Sequence, residues 1–309
     1  MNVPSNGQRT KVRLAMLAAV ATLGTLAACV GTPAGSPSSM PAPSSQPPAV
    51  SSQRSTAPME SLSAPRLSPI YWLGERDSTV YLYRQYTEAE DQGDPVTTAI
   101  KYLTEHEPLD PDYFNLWSKA SRIGTSINPG NVITVDISAD AFARRVDAGL
   151  AERAIQQLVY TATAAASAAG LLTQNTPASV DILVDGHSGY EAFGHVKLSG
   201  PIQRDASLRA PIWIIDPQQD TALTAGKVTI HGISATFPGG TRWTLKKVVD
   251  GEGTRVAGGS LHLGGGKLAD NEFQVGVVLE PGTYTLAVWG QAKDDAKRLS
   301  RDTKNFTVK

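Results

Sequence analysis

An α+β domain followed by an all-β sandwich is the architecture this sequence predicts. In the first part of the chain, short β-rich segments surround one long amphipathic stretch, about Ala148 to Ala169. From about Ala210 onward, some seven short β-rich segments follow one another, with Gly239-Gly240 and Pro281-Gly282 as turns. Ahead of both parts lies a Pro- and Ser-rich stretch that cannot form either.

The chain opens with Arg9, Lys11 and Arg13, and then runs from Leu14 to Leu26 without a charge. A basic start, a short apolar stretch and small residues at its end are the build of a secretory signal. The apolar run falls short of the roughly 20 residues that span a bilayer. The only cysteine, Cys29, closes Leu26-Ala27-Ala28-Cys29. That run resembles the lipobox of bacterial lipoproteins. The resemblance implies a signal peptide over 1–28, cleavage before Cys29 and acylation of its sulfur by a palmitate-type diacylglyceryl group. Two acyl chains hold a protein at a membrane where one holds only marginally. The expected location is the cell membrane, lipid-anchored on its extracytoplasmic face. A lone cysteine cannot close a disulfide within the chain, so the fold must rest on its cores.

Residues 29–66 read as the lipidated Cys29 and a tether. Eight prolines, Pro33 to Pro65, and few large apolar side chains leave nothing to offset chain entropy. At about 3.1 Å per residue in a polyproline stretch, such a tether reaches up to roughly 100 Å. Three of the chain's 28 basic residues lie in the signal, and none of its 29 acidic ones do, so the remainder carries a net charge of −4. That balance does not suggest a nucleic-acid surface.

The first folded domain, over 67–200, is read element by element. Thr79 to Thr87 is rich in β-formers. Pro95 to His106 places Val96, Ala99, Ile100 and Leu103 at helical spacing, with proline at its start. Arg122–Ile127 and Val132–Ile137 flank Asn128-Pro129-Gly130, a hairpin signal. Ser138 can cap a following helix, with Asp140 favoured in its first turn. The long helix carries Leu150, Ala154, Ile155, Leu158, Val159, Ala162 and Ala165 on one stripe. Glu152, Arg153, Gln156 and Gln157 lie largely to the other side, and Gly170 is a natural stop. Val180–Val184 alternates as a strand and ends in Asp185-Gly186. This order of elements, with its Val-Asp-Ile-Ser and Val-Asp-Gly pieces, resembles the GerMN domain, a sporulation and spore-germination module, over about 70–195. One departure is Glu107 to Ser118, longer and more aromatic than the brief Gly-Pro turn usual there.

The second domain, over 207–309, offers strands at Pro211–Ile215, Gly226–Ser234, Thr241–Val249, Arg255–Leu263, Glu272–Leu279, Thr283–Gly290 and Asn305–Val308. Seven short strands in about 100 residues fit an immunoglobulin-like sandwich. With no cysteine pair, its core is expected to rely on Trp243, Phe273, Tyr284 and Trp289. The opening Pro-Ile, the Val-Thr-Ile-His-Gly strand and the Pro-Gly-Thr-Tyr-Thr-Leu segment resemble the immunoglobulin-like spore-germination (Gmad-type) domain that often follows GerMN. Residues 210–309 are expected to fold by themselves.

Catalytic signals are weak. Gly186-His187-Ser188-Gly189 lacks the final glycine of a nucleophile elbow, since Tyr190 stands there. Gly264-Gly265-Gly266-Lys267 lacks the Ser/Thr and the first glycine of a phosphate loop. His106, His187, His195, His231 and His262 show no metal-ligand spacing, although His187 and His195 could meet around a hairpin. Asp136 and Asp185 suit backbone capping beside turns. No catalytic residue, metal site or cofactor is predicted. Tyr113, Phe114 and Trp117 form a candidate interaction patch if their segment lies on the surface; otherwise they pack over the end of the core.

These observations point to a non-enzymatic, lipid-anchored envelope protein. It would act as a binding or adaptor module, with an envelope protein or cell-wall glycan as partner. The alternative is an enzyme or assistant factor acting on peptidoglycan, which would need a polar cleft holding an acid and a base. A small-molecule carrier would instead need an enclosed apolar pocket.

Overall fold

The computed structural model describes residues 67–264, 271–293 and 297–309. The signal peptide, Cys29 and the tether lie outside the described residues, as does Gly265-Gly266-Lys267 of the glycine run.

The first part is an α+β module. Its elements are β1 (Leu67–Arg76), β2 (Thr79–Glu88), α1 (Pro95–Glu105), β3 (Tyr113–Phe114), β4 (Ile123–Ile127), β5 (Val132–Ile137), α2 (Ala148–Ala168), β6 (Ser179–Val184), β7 (Glu191–Ala192), β8 (Val196–Lys197) and β9 (Ile202–Gln203). The strands form a sheet in the order β2-β1-β3, a second in the order β4-β5-β6-β9, and the small hairpin β7-β8. Both helices contribute to one core that includes Trp72, Ile100, Leu103, Ile133, Val135, Leu158, Val159 and Ile182.

Strand β1 was not anticipated, although it lies at the centre of its sheet. Ile70-Tyr71-Trp72-Leu73 is buried on both faces, so it shows no apolar–polar alternation. Gly74 explains the break in that run. A Cβ there would stand 2.9 Å from the Tyr83 ring, which stacks on Tyr113 at 4.6 Å directly above it.

The long helix starts one residue after Asp147, whose carboxylate accepts from Leu150 N at 2.9 Å. Ser138 does not cap it. Ser138 precedes the short turn Ala139–Phe142, and its hydroxyl accepts from Arg122 N and donates to Asp140. Gln157, assigned to the polar side by spacing, is fully buried and donates to Asn115 Oδ1 at 3.3 Å. The small residues of the second half of α2 let it lie close against β1, where Thr161 Oγ1 accepts from Tyr71 N at 3.0 Å. Gly170, at φ +69°, ends the helix.

The second part is a sandwich built from β10 (Ile212–Asp216), β11 (Ala222–Leu223), β12 (Gly226–Ser234), β13 (Thr241–Val249), β14 (Glu252–Leu261), β15 (Glu272–Leu279), β16 (Gly282–Gln291) and β17 (Arg298–Val308). One sheet runs β10-β12-β15 and the other β11-β17-β16-β13-β14, an immunoglobulin-like arrangement. Trp243, Phe273 and Tyr284 fill its core with Ile230, Leu245, Leu286 and Phe306. Trp289 does not. It pairs with Arg242 across β13–β16, one position out of phase with the buried pair Trp243 and Val288, and so faces outward.

The two parts meet over a shared strand. Along β10 the side chains alternate: Ile212 and Ile214 enter the sandwich core, while Trp213 and Ile215 enter the core of the first module. The inner row of β17 changes character at the same place. Phe306 and Val308 face the sandwich core, but Lys304 and Asp302, equally buried, face the first module. Lys304 Nζ contacts Asp110, donates to Tyr113 Oη at 2.6 Å, and lies 3.6 Å from Asp302. Asp302 accepts from Ile214 N at 2.7 Å and from Tyr113 Oη at 3.1 Å. Arg76, Asp112 and Thr303 form the rim. Residues 210–309 alone would expose Trp213 and Ile215 and strip Lys304 of Asp110, so the separate stretch is less complete than its strand count implies.

Breaking this cluster leaves a buried charge without its partner, which costs about 3–5 kcal/mol. Asp110→Ala and Lys304→Ala are each expected to lose about that much in urea unfolding of the mature chain. Burial pushes the Asp302 carboxyl above the usual carboxylate range, against the pull of Lys304. The folded state therefore binds that proton more tightly than the unfolded one. Its contribution is fully present below the unfolded value, near pH ~3.9, and fades as pH rises through the folded one. Asp302→Asn is expected to match the parent's stability in acid and to gain on it as pH rises towards 7; parallel unfolding curves at all pH values would contradict this.

Candidate binding surfaces

The aromatic segment after α1 is not a surface patch. Tyr113 is stacked under Tyr83 and bonded into the charged junction, and Trp117 is 1% exposed. Trp117 meets Phe142 and Phe193 at 5.1 and 5.4 Å and donates Nε1–H to Ala154 O at 3.2 Å. Phe114 is half-buried opposite Leu73. The segment is pulled inward by Asn115, whose side-chain amide donates to Leu103 O at 2.6 Å and to His106 O at 3.1 Å, satisfying carbonyls at the end of α1. The expectation of a Tyr113/Phe114/Trp117 interaction patch is therefore corrected: these side chains pack the core and the junction.

The other sequence candidates are held in structural contacts. His106 stacks on Tyr102 at 4.0 Å, and His195 Nε2 contacts Val146 O at 2.9 Å. His187 closes a turn, its backbone exchanging bonds with Val184. Asp136 and Asp185 converge on Arg122 at 2.6 and 3.3 Å, and also accept from Gly186 N and Ala139 N. The hydrogen bond from Arg122 holds Asp136 below the usual carboxylate range. Among the described residues, no group of three or more His, Cys, Asp or Glu side chains is placed to hold a metal. No helix there is long and apolar enough to cross a membrane.

A surface that the sequence reading missed lies on the outer face of the five-stranded sheet. Strand alternation brings Arg242 and Lys246 of β13, Arg255 of β14, and Arg298 and Arg301 of β17 around one groove of about 740 Å³. No described carboxylate lines it. Lys246 stands directly opposite Arg255 across the β13–β14 ladder. Like charges in that relation are destabilising, so this face carries a standing repulsion. Trp289 forms part of the floor, with the Arg298 guanidinium 4.4 Å from its ring. The five cations are spread over some 60 residues of sequence, and only the sheet register gathers them.

The chain is thus an α+β module joined through a shared strand to an immunoglobulin-like sandwich, with a cationic groove on the outer face of the sandwich. Residues 69–189 match the family model described as "Germane: Sporulation and spore germination". Among solved structures, the tandem GerMN domains of the sporulation protein GerM from Bacillus subtilis align at 20% identity with a TM-score of 0.36, covering 50% of this chain and 51% of that one. The first GerMN domain of the same protein aligns at 14% identity and TM-score 0.32, covering 45% of this chain and 95% of that one. A provisionally named lipoprotein of Clostridium perfringens aligns at 15% identity and TM-score 0.29, over 44% of this chain and 86% of its own. No curated protein matches the chain.

Proposed function

We propose that this protein is a non-enzymatic, lipid-anchored binding module of the extracytoplasmic membrane face, and that it engages an acidic cell-wall glycan through the groove of its sandwich. The observation that carries this reading is the groove itself: five cations face solvent with no described carboxylate among them, on a chain whose net charge is −1. A concave groove admits a single polymer chain, whereas a flat bilayer or a large convex protein cannot follow it. Arginine forks match carboxylate and phosphate oxygens, and anionic groups along a glycan would relieve the Lys246–Arg255 repulsion. Anchoring at Cys29 and the tether would hold this face out in the wall. The family description of the first module supports a place in sporulation or germination. For the enzyme reading, the two carboxylates singled out beside turns, Asp136 and Asp185, are both engaged by Arg122.

Lys246→Glu/Arg255→Glu tests the groove, since both side chains are exposed and a fold change is not expected. The purified mature chain should bind polygalacturonate in low salt and lose it as ionic strength rises. The double variant should bind at least ten times more weakly. Equal binding by the variant, or equal binding to neutral dextran, would overturn the reading. In cells, Cys29→Ser should move the protein from the membrane fraction to the soluble one; retention of that variant after a salt wash would remove the lipid anchor.

A further inference from the structure

A second cationic site lies in the first module, remote in sequence from the sandwich groove. Strands β1 and β2 place Tyr71 opposite Arg84 and Pro69 opposite Tyr86, so these four share one face of the sheet. That face, the C-terminal half of α2 and the segment after β9 enclose a cleft of about 470 Å³, lined by Tyr71, Arg84, Tyr86, Thr163, Gln203 and Arg204 among others. The volume lies within the ~300–1,000 Å³ typical of small-molecule sites.

Arg204 is fixed in place. Its Nε donates to Thr163 Oγ1 at 2.6 Å and its Nη2 to Tyr160 O at 3.1 Å, and the guanidinium lies over the rings of Tyr160 (4.7 Å) and Tyr71 (5.8 Å). Arg84 lies over the Tyr86 ring at 5.0 Å, and its Nε is buried with no hydrogen-bond partner. No Asp or Glu lines the cleft, and neither arginine forms an ion pair among the described residues. Loss of water, with Arg84 and Arg209 adding to it, lowers the Arg204 pKa from the ordinary guanidinium value. Arg84 is half-buried and Arg204 is exposed. The two cations line one cleft with no described acidic partner, each resting on a tyrosine.

We infer that this cleft binds a small ligand bearing an oxyanion, a carboxylate or a phosphate, which bridges Arg84 and Arg204 while its body lies between Tyr71 and Tyr86. The anion supplies the charge that the protein withholds, and arginine forks suit both oxyanions. The cleft is larger than a bare ion requires, which leaves room for a sugar-sized body. This site is independent of the groove on the sandwich.

The test is a titration of the mature chain with inorganic phosphate, glucose 6-phosphate, glucuronate and neutral glucose, against sodium chloride of matched ionic strength. Arginine Nε–Hε NMR signals and the melting temperature are read together. Glucose 6-phosphate or glucuronate should shift the signals of Arg84 and Arg204 and raise the melting temperature, while glucose and chloride should not. A response to phosphate and its ester alone assigns a phosphate ligand; a response to glucuronate alone assigns a carboxylate. Arg84→Gln should weaken binding at least tenfold with an unchanged or higher melting temperature in the absence of ligand, because it removes a repulsion. Arg204→Gln should also lose binding, but with some loss of stability from its tyrosine contacts. No response to either anion, the same response to chloride, or Arg84→Gln binding like the parent would overturn the inference. Lys246→Glu/Arg255→Glu should leave these shifts intact, so a failure of the groove reading and a failure of this one are separable.

Discussion

Lys304 is the charge on which the joined architecture depends. Its ammonium is 2% exposed in the middle of a strand, where a β-sandwich ordinarily places an apolar side chain. A lysine there is tolerable only if anions meet it, and one of them, Asp110, comes from the other module. Tyr113 completes the arrangement by accepting from Lys304 and donating to Asp302. A buried charge cluster of this kind contributes little net stability compared with apolar packing. Separating the two modules would remove Asp110 and Tyr113 and leave Lys304 with Asp302 of its own strand.

Apolar packing supplies the rest of the union. β10 is hydrogen-bonded into the sandwich, yet sends Trp213 and Ile215 into the first core. A strand with apolar residues at every position fits only where both of its faces are covered. β1 follows the same logic within its own module, with Ile70 and Trp72 on one side and Tyr71 and Leu73 on the other. The two strands that carry the architecture are thus the two with no alternation, and their glycine and charged neighbours are set by what lies above them.

A near-neutral chain can still present strongly charged surfaces, because sheet register sorts residues by parity. Along β13, Trp243 and Leu245 point inward while Arg242 and Thr244 point outward, and β14 and β17 add further cations to the same face. In the first module the acidic side chains are drawn into caps and ion pairs, as with Asp94, Asp136, Asp147 and Asp185. Arg84 and Arg204 are left lining one cleft without one. Segregation of this kind creates anion-binding potential without raising the net charge.

The sequence by itself determined the local elements: the helix opening at Pro95, the long helix stopped by Gly170, the β4–β5 hairpin, and sandwich strands such as Gly226–Ser234, Thr241–Val249 and Glu272–Leu279 at their observed bounds. These are legible because periodicity, caps and turns act over a few residues. Only the tertiary structure decided which aromatic side chains are inside. Tyr113 and Trp117 are drawn in by Asn115 and by partners up to 191 residues away, while Trp289 is turned out by its parity on β16. It alone made binding surfaces from Arg242, Lys246 and Arg255, or from Arg84 and Arg204. Their proximity arises from strand register and from the approach of α2, and neither leaves a trace in local sequence.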